Sequence, residues 1–126
     1  MNRNKSKQLL SVYLDSSVIL SGLASPNGGS GMILLAAKRK KLKLLTNPSV
    51  IQEAVEHLDK LKIDPIKLER LLSQNIVVLK ASPSRSFQEK FSKVVKDPDD
   101  VHVVAGASLS GANFLVTLDK KHILTP

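Results

Sequence analysis

Apolar residues in this chain come in short runs that alternate with stretches of helical period, and most transitions are marked by Pro, Gly, Asn or Asp. Leu9 to Leu14, with Val12 and Tyr13 inside it, predicts a buried strand whose far end delivers Asp15. Ser25-Pro26-Asn27-Gly28-Gly29-Ser30-Gly31 predicts a loop, Met32 to Lys41 a helix, and Leu42 to Leu45 a strand stopped by Asn47-Pro48. Pro48 suits the first turn of the next helix, in which Val50, Ile51, Ala54, Val55, Leu58 and Leu61 form one apolar stripe. At about 100° per residue, Glu56 falls opposite that stripe and Glu53 on its shoulder, so Glu53 can reach a pocket rim while Glu56 faces water. Asp64-Pro65 opens a helix through Leu72, Ile76 to Leu79 reads as a third strand, and Ser86 to Val95 as a helical stretch. Asp97-Pro98-Asp99-Asp100 then begins a largely apolar helix through Ser110, Gly111 ends it, and Phe114 to Leu118 is the fourth strand.

Strands that alternate with helices imply parallel β-α units with right-handed crossovers. The expected fold is therefore a three-layer α/β/α sandwich with a central parallel sheet of about four strands, in a single domain spanning residues 1–126. Residues 1–7 are basic and polar and are expected to be a disordered tail. In open parallel sheets ligands bind beyond the carboxyl ends of the strands, where both Asp15 and Asp119 fall. The chain shows no internal repeat and no low-complexity segment.

Composition narrows the class. With 126 residues, 42% of them apolar, the chain can bury one ordinary core. It contains no cysteine, which excludes disulfides and thiolate zinc sites and fits a cytoplasmic location. The polar opening, and the break that Asp15 makes in the apolar stretch after it, fit neither a signal peptide nor a membrane span. A formal charge of +8 favours polyanions such as nucleic acid. Lys38-Arg39-Lys40-Lys41 is the densest basic run and the candidate nucleic-acid contact; its plainer reading is a solvated helix end favoured by the macrodipole. Aromatic residues make up 3% of the chain, which argues against base stacking and for recognition of the backbone.

Against that basic background, the acids at strand and helix ends could form one pocket. Asp15, Glu53, Asp100 and Asp119 are the candidate catalytic and metal-holding set, suited by their hard oxygens to Mg²⁺ or Mn²⁺ rather than Zn²⁺. Carboxylates packed together without a cation repel one another, so their convergence would itself argue for metal. Such an ion makes a water nucleophilic and offsets charge developing on a phosphate, the two needs of phosphodiester hydrolysis. Ser17 and Thr117 could orient ligands or water as supporting hydroxyls. The plainer alternatives are a helix cap for Asp97 and Asp100, strand-end turns for Asp15 and Asp119, and a surface acid for Glu53. Gly28-Gly29-Ser30-Gly31 lacks the Lys-Ser/Thr of a phosphate-binding loop, Ser16 and Ser17 lack a Gly-x-Ser-x-Gly setting, and His57, His102 and His122 lack metal-pair spacing.

Four segments, in order, resemble the PIN-domain ribonucleases, which include the VapC-type toxins of prokaryotic toxin-antitoxin pairs. Tyr13-Leu14-Asp15-Ser16-Ser17-Val18-Ile19-Leu20 resembles the family's opening motif, and Val50-Ile51-Gln52-Glu53 the helix that carries its next acid. Asp99-Asp100-Val101-His102-Val103-Val104-Ala105-Gly106-Ala107 resembles the acid-then-small-helix motif, and Ala112-Asn113-Phe114-Leu115-Val116-Thr117-Leu118-Asp119 the closing strand. The resemblance implies Asp15, Glu53, Asp100 and Asp119 as metal-site acids, Ser17 and Thr117 as supporting hydroxyls, and Asp97 and Asp99 as auxiliary neighbours. It also implies a single-stranded RNA substrate, a homodimer and an antitoxin partner. Ser16-Ser17 departs from the Thr-Asn often found after the first Asp. The chain also ends at Pro126, where many relatives continue into another edge strand, so a four-stranded sheet with a partner-covered edge is expected. Two other functions compete: an inactive scaffold that keeps the basic surface and uses the acids for folding, and a signalling receiver domain, which Thr117-x-Asp119 and the Glu53 helix fit poorly.

Overall fold

Tyr13 and Leu14 are fully buried and Val12 nearly so, as a central strand requires. In the computed structural model, which describes residues 9–118, they form β1 (Ser11–Leu14). The order along the chain is then α1 (Ser16–Ala24), α2 (Gly29–Lys38), β2 (Lys43–Thr46), α3 (Pro48–Leu58), α4 (Pro65–Ser73), β3 (Val77–Leu79), α5 (Arg85–Glu89), α6 (Pro98–Ser110) and β4 (Phe114–Val116). The four strands form one parallel sheet in the order β3-β2-β1-β4. Its register pairs Val12 with both Leu44 and Phe114, and Leu44 with Val77.

That strand order places the site. The chain steps outward from β1 to β2 to β3 and then returns across the sheet to β4. With right-handed crossovers, this reversal puts α1 to α4 on one face and α5 and α6 on the other. Consistent with this, α1 packs on α2 and α3, whereas α6 packs on α5, β2 and β4. The expected α/β/α sandwich with four parallel strands is the observed one. Strand order reverses between β1 and β4, and the carboxyl edge at such a point is where parallel sheets hold ligands. Among the described residues, no single helix is long and apolar enough to cross a membrane.

Several local expectations need correction. No element was expected over residues 16–24, yet α1 forms there; Ser16, Val18, Ile19, Leu20, Gly22 and Leu23 are all buried, so no amphipathic period marks it. The expected loop gives up Gly29, Ser30 and Gly31 to the first turn of α2. Gly31 is there for close approach, because a Cβ would overlap the Pro26 carbonyl. The α3 stripe is narrower than its sequence suggests: Val50, Ala54 and Leu58 are buried, but Val55 and Leu61 are 51% and 46% exposed. Leu61 also lies past the helix end. In the 86–95 stretch, helix is confined to Arg85–Glu89 and is followed by turns.

A buried polar junction joins β1, α3 and α6. Asn47 accepts from the Val50 N–H at 3.0 Å as the N-cap of α3, and its amide donates to the Tyr13 hydroxyl. Losing that cap and leaving the Tyr13 hydroxyl without its donor should make Asn47→Ala about 2–4 kcal/mol less stable in urea unfolding. Burial raises the Tyr13 pKa above its ordinary 10.0, partly opposed by the Asn47 hydrogen bond. The folded chain therefore keeps this proton at a pH where the unfolded chain has lost it. The corresponding stability is complete below pH 10.0 and falls as pH rises through the raised value. Urea midpoints followed into alkali should show this fall, and Tyr13→Phe should flatten it.

Candidate metal centre at the carboxyl edge

Asp15 directly follows β1 and is 6% exposed, so its carboxylate is withdrawn from bulk water. Its backbone N–H donates to the Val116 carbonyl at 3.3 Å, which extends the β1–β4 pairing by one step. As N-cap of α1 it accepts from the Ser16 N–H through Oδ1 at 2.7 Å. Oδ2 accepts from Thr117 Oγ1 at 2.8 Å and from Ser17 Oγ at 3.2 Å. Ser17 Oγ in turn accepts from the Leu118 N–H at 3.2 Å, which ties the start of α1 to the chain just after β4. A carboxylate offers about four lone-pair directions, so these bonds fix its orientation and leave room for about one more partner. A buried carboxylate held by hydroxyls and a helix N-terminus is a hard, oriented oxygen donor, which suits Mg²⁺ or Mn²⁺.

The other candidates are distributed around this point. Glu53 is on α3 and exposed, like Glu56, so helical phase alone does not separate the two acids. Asp100 is half-buried in the first turn of α6, and its N–H donates to the Asp97 carbonyl at 2.9 Å. Asp97 is half-buried just before that helix. Asp119 and residues 1–7 lie outside the described residues, as does the side chain of Asp99. The structure thus brings Asp15, Ser17 and Thr117 into direct contact. Among the described residues it does not gather three acids or histidines into a group that could hold an ion. Lys38, Arg39, Lys40 and Lys41 are exposed at the carboxyl end of α2, and Lys40 turns the chain there with a φ of 60°. Asn47, a strand stop by sequence, also carries with Pro48 a helix-cap signal, whereas its bond to Tyr13 has no local signature.

A family model for the PIN domain matches residues 11–121. The chain belongs to the PIN-domain family, a family of nucleases. It is also similar in fold to the crystal structure of Mycobacterium tuberculosis VapC20, a toxin that cleaves the sarcin-ricin loop. The two are 11% identical with a TM-score of 0.60, and the match covers 87% of this chain and 92% of that one. No curated protein matches the sequence.

Proposed function

We propose that this chain is a divalent-metal-dependent endoribonuclease that hydrolyses RNA phosphodiester bonds, as the toxin of a toxin-antitoxin pair. The observation that carries this reading is the Asp15 carboxylate, buried at the β1–β4 switch point and aimed by Ser16, Ser17 and Thr117. Asp15, Glu53, Asp100 and Asp119 would hold Mg²⁺ or Mn²⁺, and Asp97 and Asp99 would add negative charge near the start of α6. When bound there, the ion supplies a nucleophilic water at neutral pH and offsets the charge developing on the phosphate. Thr117 and Ser17 keep Asp15 Oδ2 in place, which leaves Oδ1 the freer of its two oxygens. Lys38, Arg39, Lys40 and Lys41 would contact RNA phosphates. The partners in this reading are RNA, a second copy of the chain and a protein antitoxin. Leu109, Phe114 and Leu118, each about half exposed around β4, support a covered surface there.

The test is cleavage of single-stranded RNA with Mn²⁺ or Mg²⁺, stopped by EDTA and restored by added metal. Cleavage that persists in EDTA would remove the metal from the account. Thr117→Val, which deletes one of the two hydroxyl donors to Asp15, should lower cleavage about 10–100-fold with little change in melting temperature. The second reading, an inactive scaffold, is favoured by one observation: both oxygens of Asp15 already accept hydrogen bonds within the protein. No cleavage by the natural protein with any divalent metal would select it.

A further inference from the structure

We infer that the segment from Arg85 to Lys96 is a binding surface for single-stranded RNA, with Phe87 and Phe91 stacking bases and Lys90, Lys93 and Lys96 following the phosphates. The inference rests on RNA being the substrate and assigns it a path along the connection between β3 and α6. The chain has three Phe and one Tyr, and two of these four rings meet here. Their centroids are 5.5 Å apart at an interplanar angle of 57°, and each ring is half-buried, so each keeps part of its surface toward solvent. Lys90 Nζ lies over one face of the Phe87 ring, 5.2 Å from its centroid, so a cation already joins the aromatic surface and Phe91 is the less covered of the two rings for stacking. From Arg85 to Lys96 the sequence carries four cations and one carboxylate, Glu89, and all four cations are exposed.

The segment is held in shape. Ser84 Oγ caps α5 by accepting from the Phe87 N–H at 3.1 Å, Gln88 Nε2 donates to the Pro83 carbonyl at 3.1 Å, and Val95 is 4% exposed. Its position is set by topology. It lies within the connection that leaves the carboxyl end of β3 and enters the first turn of α6, so its Lys96 end approaches the edge of the sheet that carries Asp15. An aromatic pair in a basic segment, with one cation against a ring, is the combination that binds single strands, because every base has a π-face and every nucleotide a phosphate. Low overall aromatic content argued against stacking, but the clustering of those few rings reverses that expectation. The basic run at the end of α2 contains no aromatic ring, so it suits phosphate contacts better than base stacking.

The test is fluorescence anisotropy of a labelled single-stranded oligouridine in EDTA, where binding is read without cleavage. Phe91→Leu, which keeps apolar volume and removes the ring, should weaken binding about ten-fold while leaving binding of double-stranded RNA and the melting temperature unchanged. Lys93→Gln should reduce the slope of log K against log salt by about 0.7. Equal affinities for Phe91→Leu and the natural protein, or equal losses for single and double strands, would overturn the inference. So would displacement of the oligouridine by polyglutamate as readily as by unlabelled RNA, since an acidic peptide would then fit equally well. If Phe91→Leu unfolds, ultraviolet cross-linking of oligouridine to the natural protein decides instead: adducts on residues 85–96 support the surface, and adducts only elsewhere refute it. A chain that binds through Phe91 but never cleaves RNA would contradict the proposed catalysis and leave this surface standing. Cleavage that is indifferent to Phe91 would do the reverse.

Discussion

The Asp15→Asn protein is expected to lose RNA cleavage by at least about 10²-fold while melting close to the natural protein. Asn has the shape of Asp and can still accept from the Ser16 N–H, so the cap on α1 survives in part. The charge does not survive. An amide also has a single acceptor oxygen, so it cannot serve Ser16 on one side and Thr117 and Ser17 on the other as the carboxylate does. A neutral side chain at a 6% exposed position no longer needs compensation for burial, which offsets part of the lost hydrogen bonding. Activity and stability should therefore separate: steady-state cleavage collapses while thermal melting moves little. Equal loss of both would mean that Asp15 acts through folding alone.

The second large effect is expected at Gly106. Added there, a Cβ would overlap the Tyr13 hydroxyl and lie 2.8 Å from Tyr13 Cζ and 3.0 Å from Asn47 Nδ2. Neither neighbour can step aside easily, because Tyr13 is fully buried in the central strand and Asn47 caps α3. Overpacking and a displaced Tyr13–Asn47 bond outweigh the helix propensity that Ala gains over Gly. Gly106→Ala should thus be destabilised by roughly 2–4 kcal/mol in urea unfolding. Tyr13→Phe removes the worst of the clashing atoms and leaves Cζ at 2.8 Å, so the double variant should still be destabilised but lose less than the sum of the singles. Strict additivity would contradict the proposed contact. Because this junction joins the strand of Asp15 to the helices of Glu53 and Asp100, Gly106→Ala should also weaken cleavage more than its loss of folded protein accounts for.

Local signals carried much of the fold. The apolar run into Asp15, the Asp64-Pro65 and Asp97-Pro98 helix starts and Gly111 at a φ of 74° each encode one backbone event within a few residues, and each matches the structure. Helix α1 was hidden because a helix buried on most sides has no amphipathic period, and Gly29 to Gly31 because close approach and flexibility demand the same residue. For the candidate site, Asp15, Ser17 and Thr117 could be named from sequence. Their contact could not be read from local pattern, since Thr117 reaches Asp15 across 102 positions. Helical phase put Glu53 on a shoulder of α3, but phase fixes an angle about an axis and says nothing about distance to Asp15. The Tyr13–Asn47–Gly106 junction and the Phe87–Phe91 pair likewise depend on how elements pack, which composition averages away.

Whether the carboxyl edge around Asp15 binds a divalent metal ion is decided by calorimetric titration of Mn²⁺ into the RNA-free protein. The natural protein should give a binding isotherm, Asp15→Asn should lose it, and a Lys38→Gln control should retain it. An isotherm unchanged by Asp15→Asn, or no Mn²⁺ binding by the natural protein, would contradict a metal site at Asp15.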